Sequence, residues 1–214
     1  MSRIKPSTVL LLLLFIVFLL SCAAATLAQQ CPTTPESQQT RTSVKHHKPP
    51  AGIHVTSIEL TEMFDWALPA NISDKAVRKS DEPIDEREGQ AFEFTGDLWR
   101  VKFEMNDCDL HLELSAPDAG KNARRVIVEI PARAWANTAR SHALQILSDQ
   151  QAAHKATANG NFKTPVRVRV TGLAFFDATH WSKKNPQVGH GHGTAAVKTL
   201  WELHPVWKLV VVTQ

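Results

Sequence analysis

From Ala91 onward the apolar residues recur every second position, and this change of period constrains the fold more than any other feature of the chain. Phe92, Phe94 and Gly96 hold one phase, whereas Trp99, Val101, Phe103 and Met105 hold the other. A phase flip near Gly96–Leu98 without a turn predicts a long, bent strand carrying a bulge. Next, Cys108, Leu110, Leu112 and Leu114 alternate with Asp109, His111 and Glu113. The turn SAPDAGKN then leads into a third strand over residues 124–130, with Val126, Val128 and Ile130 inward and Pro131 as its stop. Residues 132–157 are Ala-rich, lack Gly and Pro, and end near Asn159-Gly160, which reads as a helix. Residues 166–177 and 200–212 supply two further strands, with Val166, Val168 and Val170 inward on one and Leu203, Trp207, Leu209 and Val211 inward on the other. The fold class is therefore all-β with one helix, in the order β-β-β-α-β-β. That is the chain order of a five-stranded OB-fold-like barrel.

What precedes the barrel reads as address and tether. Arg3 and Lys5 stand before an unbroken apolar run over residues 9–20, followed by SCAAATLA, which together form a secretory signal over 1–28. The run would rise only about 18 Å as a helix, short of a hydrocarbon core of about 30 Å, so no integral span is expected in the mature chain. Cleavage after Thr26-Leu27-Ala28 gives a secreted or periplasmic protein. The alternative is a lipoprotein anchored through Cys22, with Leu19-Leu20-Ser21 before it. Residues 29–52 are polar and Pro-rich and read as a disordered tether in which His46-His47 are merely solvated. Residues 53–90 form an extension, with a short strand or helical turn around Ile58, Leu60, Phe64 and Trp66 and a charged exposed loop over 73–88. Residues 91–214 are the barrel domain. Asn71-Ile72-Ser73 is a glycosylation sequon.

Formal charge excludes little. The chain carries +3, and loss of Arg3 and Lys5 with the signal leaves the mature domain close to neutral. It thus lacks the bulk basic field of a general nucleic-acid binder. Arg124, Arg125, Arg167, Arg169, Lys183 and Lys184 could form a local basic stripe, although outward charges on strands usually just solubilise, so nucleic acid or glycan is only weakly supported as a partner. A monomer is expected. The GHGHG run at 189–193 is no phosphate-cradling loop, since no strand-to-helix junction or Lys/Ser follows it. No Ser-His-Asp or Cys-His nucleophile arrangement stands out.

Candidate chemistry follows from register. Pairing Leu110, Leu112 and Leu114 with Ile130, Val128 and Val126 sets His111 opposite Glu129. Pairing Val168, Val170 and Phe176 with Val211, Leu209 and Leu203 sets Asp177 opposite Glu202 and Phe175 opposite His204. Directly opposed side chains stand about 5 Å apart, close enough to share a proton or a metal. Asp109, His111 and Glu129, with Trp181 or Trp201, are the candidate ligand face. Asp177, His180, Glu202 and His204 are the candidate metal cluster, for calcium, manganese or zinc. Three readings compete: a structural polar ladder, a binding face for a small ligand, glycan or strand, and a metal-dependent phosphodiesterase.

Four motifs carry a resemblance: Asp109-Leu110-His111, Val128 to Pro131 (VEIP), Val170 to His180 (VTGLAFFDATH) and Glu202 to Val206 (ELHPV). On these, residues 90–212 resemble a family of uncharacterised, mostly bacterial exported proteins with an OB-like fold. The resemblance implies the fold and the compartment and brings no activity with it. The fold is also distantly similar to staphylococcal-type nucleases, which hydrolyse phosphodiesters with calcium. That family's catalytic arginine and carboxylate spacing does not map onto this chain. The reading from residues thus expects an exported binding or structural module of unknown ligand, with a metal-dependent hydrolase as the alternative.

Cleavage after Ala28 would remove Cys22 and leave Cys31 and Cys108, an even pair in an oxidising compartment, which predicts a Cys31–Cys108 disulfide. Thiol labelling of the mature chain under denaturing, non-reducing conditions should find no reactive thiol. Two per chain would reject the bridge.

Overall fold

The computed structural model describes residues 41–105, 107–184 and 196–213. The expected signal over 1–28, the expected tether before residue 41, Cys31 and the GHGHG run lie outside the described residues. Cys108 is fully buried, and its expected partner Cys31 is among the residues not described. Among the described residues, no helix is long and apolar enough to cross a membrane.

The elements in chain order are α1 (Thr42–Lys45), β1 (Val55–Ser57), a 3-10 turn (Leu60–Phe64), α2 (Lys75–Arg78), β2 (Ala91–Phe103), β3 (Leu110–Ser115), β4 (Arg125–Ile130), α3 (Asn137–Ala152), β5 (Asn161–Phe176) and β6 (Val197–Val211). The strands follow one another as β1-β2-β3-β4-β6-β5, and β5 also pairs with β2. Strands β2 to β6 therefore close on themselves as a five-stranded barrel with α3 between β4 and β5, the OB-like architecture expected from the order of elements. Closure leaves no free edge among these five strands. β1 adds a short parallel strand outside, on β2.

The bend in β2 sits where the phase flips. Its register shifts between Leu98 and Arg100 against both β3 and β5, so one strand serves two neighbours that diverge. At the far end of that pairing, Gly160 makes the closing contact. Its carbonyl accepts from the Val101 amide at 3.1 Å. Its φ is +74°, and a Cβ there would lie 1.8 Å from the Val101 carbonyl oxygen.

The interior is filled by the inward set of each strand: Leu110, Leu112 and Leu114 on β3, Val126, Val128 and Ile130 on β4, Val168 and Val170 on β5, and Leu203, Val206 and Leu209 on β6. Trp201 belongs to this core. Its ring meets Phe176 edge-on at 5.2 Å and Trp66 at 5.4 Å, and its Nε1–H donates to the Ala67 carbonyl at 2.9 Å. It is therefore a packing residue on the apolar side, which corrects its assignment to the ligand face.

Three further expectations differ from the structure. The β5–β6 pairing begins as read, with Val168 opposite Val211 and Val170 opposite Leu209, but shifts on both sides of Gly172. Phe175 then opposes Glu202, Phe176 opposes Trp201, and the Asp177 amide donates to Leu200. Asp177 is thus not opposite Glu202. Pro205 offers no amide to the ladder, and Gly172 lets the strands approach so closely that a Cβ there would lie 2.8 Å from the Leu203 Cβ. The same shift puts Val206 in the core and leaves Trp207 half-buried, while Val211, expected to face inward, is exposed although it still pairs with Val168. Residues 41–52, read as the end of a disordered tether, are ordered from Arg41 on. Arg41 is 1% exposed, and its guanidinium bonds Glu88 at 2.6 Å and the Phe176 and Ser80 carbonyls at 3.0 and 3.1 Å. Glu88, placed by the sequence in an exposed loop, is buried as its partner. Composition misled here because a segment with few apolar residues docks through buried ion pairs instead.

Gly160→Ala should lower stability by about 2 kcal/mol or more, since it combines positive-φ strain with a backbone collision. Urea denaturation of the variant checks this; an unchanged midpoint would contradict the closing role of Gly160.

Candidate functional site: a buried acid–histidine cluster on β3, β4 and β6

Strand alternation builds the cluster. With Leu110, Leu112 and Leu114 fixed opposite Ile130, Val128 and Val126, the residues between them turn to the other face, and His111 lands opposite Glu129 as read. β6 runs parallel to β4 with Leu203 beside Val128 in the core, so Glu202 and His204 also turn to that outer face. On a half-solvated sheet this face would be wet. Here it is covered, and Asp109, His111, Glu113, Glu129, Glu202 and His204 are all buried. α1 contributes to the cover, bringing in Lys45 and His46.

His204 is the hub. Its Nε2 lies 3.0 Å from Asp109 Oδ2, and its Nδ1 lies 3.0 Å from Glu129 Oε2 and 3.9 Å from Glu202 Oε2. His46 Nε2 reaches the same Asp109 oxygen at 2.9 Å, while Arg133 stands 3.3 Å from His46 Nδ1. Asp109 Oδ1 accepts from the Ala132 amide at 3.1 Å. His111 Nδ1 lies 3.0 Å from Glu129 Oε1, and its Nε2 lies 3.7 Å from Glu113, which also holds Arg100 at 2.9 Å and Arg125 at 3.1 Å. The Lys45 ammonium stands 3.7 Å from Asp107 and 3.8 Å from Glu129.

Titration follows from these neighbours. Burial and the nearby Lys45 oppose a charge on His204, but Glu129 and Asp109 outweigh them and carry its pKa up to about 9. Burial likewise opposes charge on His111, and Glu113 and Glu129 carry it up to about 9. Burial would raise Asp109, yet His204 and His46 bring it down to about 2. Glu129 is held well below the usual carboxylate range despite its burial, chiefly by His204 and Lys45. Burial opposes charge on Lys45 too; Glu129, Asp177, Asp107 and Glu202 together raise its pKa above the ordinary value. At neutral pH the Asp109 and Glu129 carboxylates are thus neutralised by the His204 and His111 imidazolium groups and the Lys45 ammonium.

Asp109, His111 and Glu129 of the candidate ligand face are thus joined, through His204. Trp181 is not part of this network: it is half-buried against the core, with the Arg78 guanidinium 5.0 Å over its ring. Of the candidate metal cluster, Glu202 and His204 belong to the hub. Asp177 pairs with the His180 ring and accepts from the Thr179 amide at 3.0 Å. Asp177 and Glu202 both act on Lys45, which connects the two halves despite the shifted register. Three groups among the described residues can hold a metal ion: His46, Asp109 and His204; Glu129, Glu202 and His204; and Asp107, Asp109 and Glu129.

Sequence reasoning missed Lys45, His46 and Asp107. The signal was the basic run Lys45-His46-His47-Lys48 within a mostly neutral tail. Glu113 was visible, since it shares the phase of Asp109 and His111.

A histidine whose pKa is higher folded than unfolded stabilises fully below about 6.5 and loses that contribution as pH climbs through about 9, whereas Asp109 contributes above about 4 and loses its share as pH falls through about 2. His204→Gln should therefore cost on the order of 3 kcal/mol at pH 6.5, and much less at pH 10. Denaturation midpoints of wild type and variant across that range test this; parallel curves would exclude His204 as the buried cation.

Searches against protein-family models, curated proteins and solved structures returned no match to this chain.

Proposed function

We propose that the protein is an exported OB-type binding module whose acid–histidine face holds a cation. One observation carries this reading: the Lys45 ammonium sits within 4 Å of Asp107 and Glu129, with Asp177 and Glu202 also drawing on it. The face already selects a positive charge, which α1 supplies in cis. A divalent ion on Glu129, Glu202 and His204 would replace the Lys45 charge and the His204 proton together. Mixed carboxylate and imidazole donors suit manganese or zinc, while the Asp107, Asp109 and Glu129 group, all oxygen, suits calcium. Export rests on the apolar run and small-residue exit at the N-terminus.

Metal-dependent phosphodiester hydrolysis stands second. It needs water and a bulky substrate to reach the ion, and the residues of this face are almost fully covered.

Because ligation displaces a proton, metal affinity should rise from pH 6 to pH 9. Thermal denaturation with millimolar manganese or zinc should show a rise in midpoint that grows with pH, is larger in Lys45→Ala and is lost in Glu202→Gln. If no ion stabilises wild type or Lys45→Ala at any pH, the cation reading fails and the face is only the dock for α1. Turnover of a chromogenic phosphodiester with manganese would promote the hydrolase.

A further inference from the structure

A second concavity lies at the other end of the same strands and shares no residue with the acid–histidine hub. It encloses about 650 Å³ and is lined by Lys121, Arg124, Arg125, Lys163 and Lys198 around Trp99, with no Asp or Glu among the described lining residues. Four separate stretches of chain bring these cations together: the β3–β4 turn, the start of β4, the start of β5 and the start of β6. Lys121, Arg124, Lys163 and Lys198 are exposed, so their charges face solvent at this mouth.

Arg125 is the built part of the site. It is 6% exposed and packs over the Trp99 ring at 5.3 Å. One of its terminal nitrogens bonds Glu113 at 3.1 Å and the other bonds the Lys121 carbonyl at 2.8 Å, yet its buried Nε has no acceptor among the described residues. A buried donor left unpaired costs stability, and with both terminal nitrogens committed the Nε–H is the donor Arg125 has left for an anion oxygen. Arg125 already has Glu113 as its counter-charge, but the four exposed cations around the cavity repel one another unless an anion lies between them. A single carboxylate would offset one of these charges, whereas a phosphate group offers two charges and several acceptors in a compact volume.

We propose that this basic basin at the β4–β6 mouth of the barrel binds a small phosphate-bearing anion. The Lys163 and Lys198 ammonium groups draw it in, and Arg125, held by Glu113 and Trp99, provides the oriented donor. The inference does not depend on the cation reading of the other face.

Calorimetric titration of the full chain with inorganic pyrophosphate at low ionic strength should give one saturable site. Lys163→Glu/Lys198→Glu, both exposed positions, should weaken it at least tenfold with an unchanged melting temperature. Lys163→Arg/Lys198→Arg should retain it, and Lys75→Glu, on α2, should leave it unaltered. No saturable binding in the wild type, or equal affinity in the Glu and wild-type proteins, would overturn the proposal.

Discussion

The His204 imidazolium between Asp109 and Glu129 ties together three strands that the backbone ladder alone would only align. Asp109 precedes β3, Glu129 closes β4 and His204 lies within β6, so a single buried cation spans two strand interfaces. Removing its charge would leave two carboxylates in a dry environment, each bearing a desolvation cost of several kcal/mol. Asp109 is already braced by the Ala132 amide and His46, and Glu129 by His111 and Lys45. Everything on this face is thus arranged around keeping those two oxygens ionised.

That demand explains why a polar N-terminal segment is ordered. Thr42–Lys45 has no buried apolar residue of its own to hold it down. It is held at one end by Arg41, which makes an ion pair with Glu88 and caps the Phe176 carbonyl, and at the other by Lys45 and His46 in the cluster. Such a segment is attached by charge rather than by area, and its docking responds to whatever competes for the same carboxylates. A cation bound at Glu129 would therefore be coupled to the α1 segment, because Lys45 draws on the same carboxylate.

The barrel was legible because burial on one side of each strand enforces a period of two. The β3–β4 register followed from the apolar set alone, and it placed His111 on Glu129 correctly. The β5–β6 register was legible only as far as Gly172. Beyond it, the missing amide of Pro205 and the close approach at Gly172 shift the pairing, and periodicity carries no information about such a shift. Trp201 was misplaced because an aromatic reads equally well as a ligand platform or as core. The contribution of Lys45 and His46 was illegible for a different reason. Their partners lie more than sixty residues away, and no local pattern encodes a long-range ion pair.

Net charge hides the arrangement that matters most. The formal +3 describes a nearly neutral molecule, yet β3 and β4 carry opposite signs at their two ends. Asp107, Asp109 and Glu129 gather where β3 begins and β4 ends, while Lys121, Arg124 and Arg125 gather where β3 ends and β4 begins. Glu113 lies between them and joins the two ends, touching His111 on one side and holding Arg125 on the other. A strand pair of six residues is about 20 Å long, twice the screening length at physiological salt, so the two ends are electrostatically independent toward solvent. Through the buried Glu113 they are not. Loss of its charge would release Arg125 from its fixed orientation and remove one of the carboxylates beside His111. One barrel in this way gathers carboxylates and histidines on one face and basic side chains at the opposite mouth, with the pair of strands between them supplying the rigidity for both.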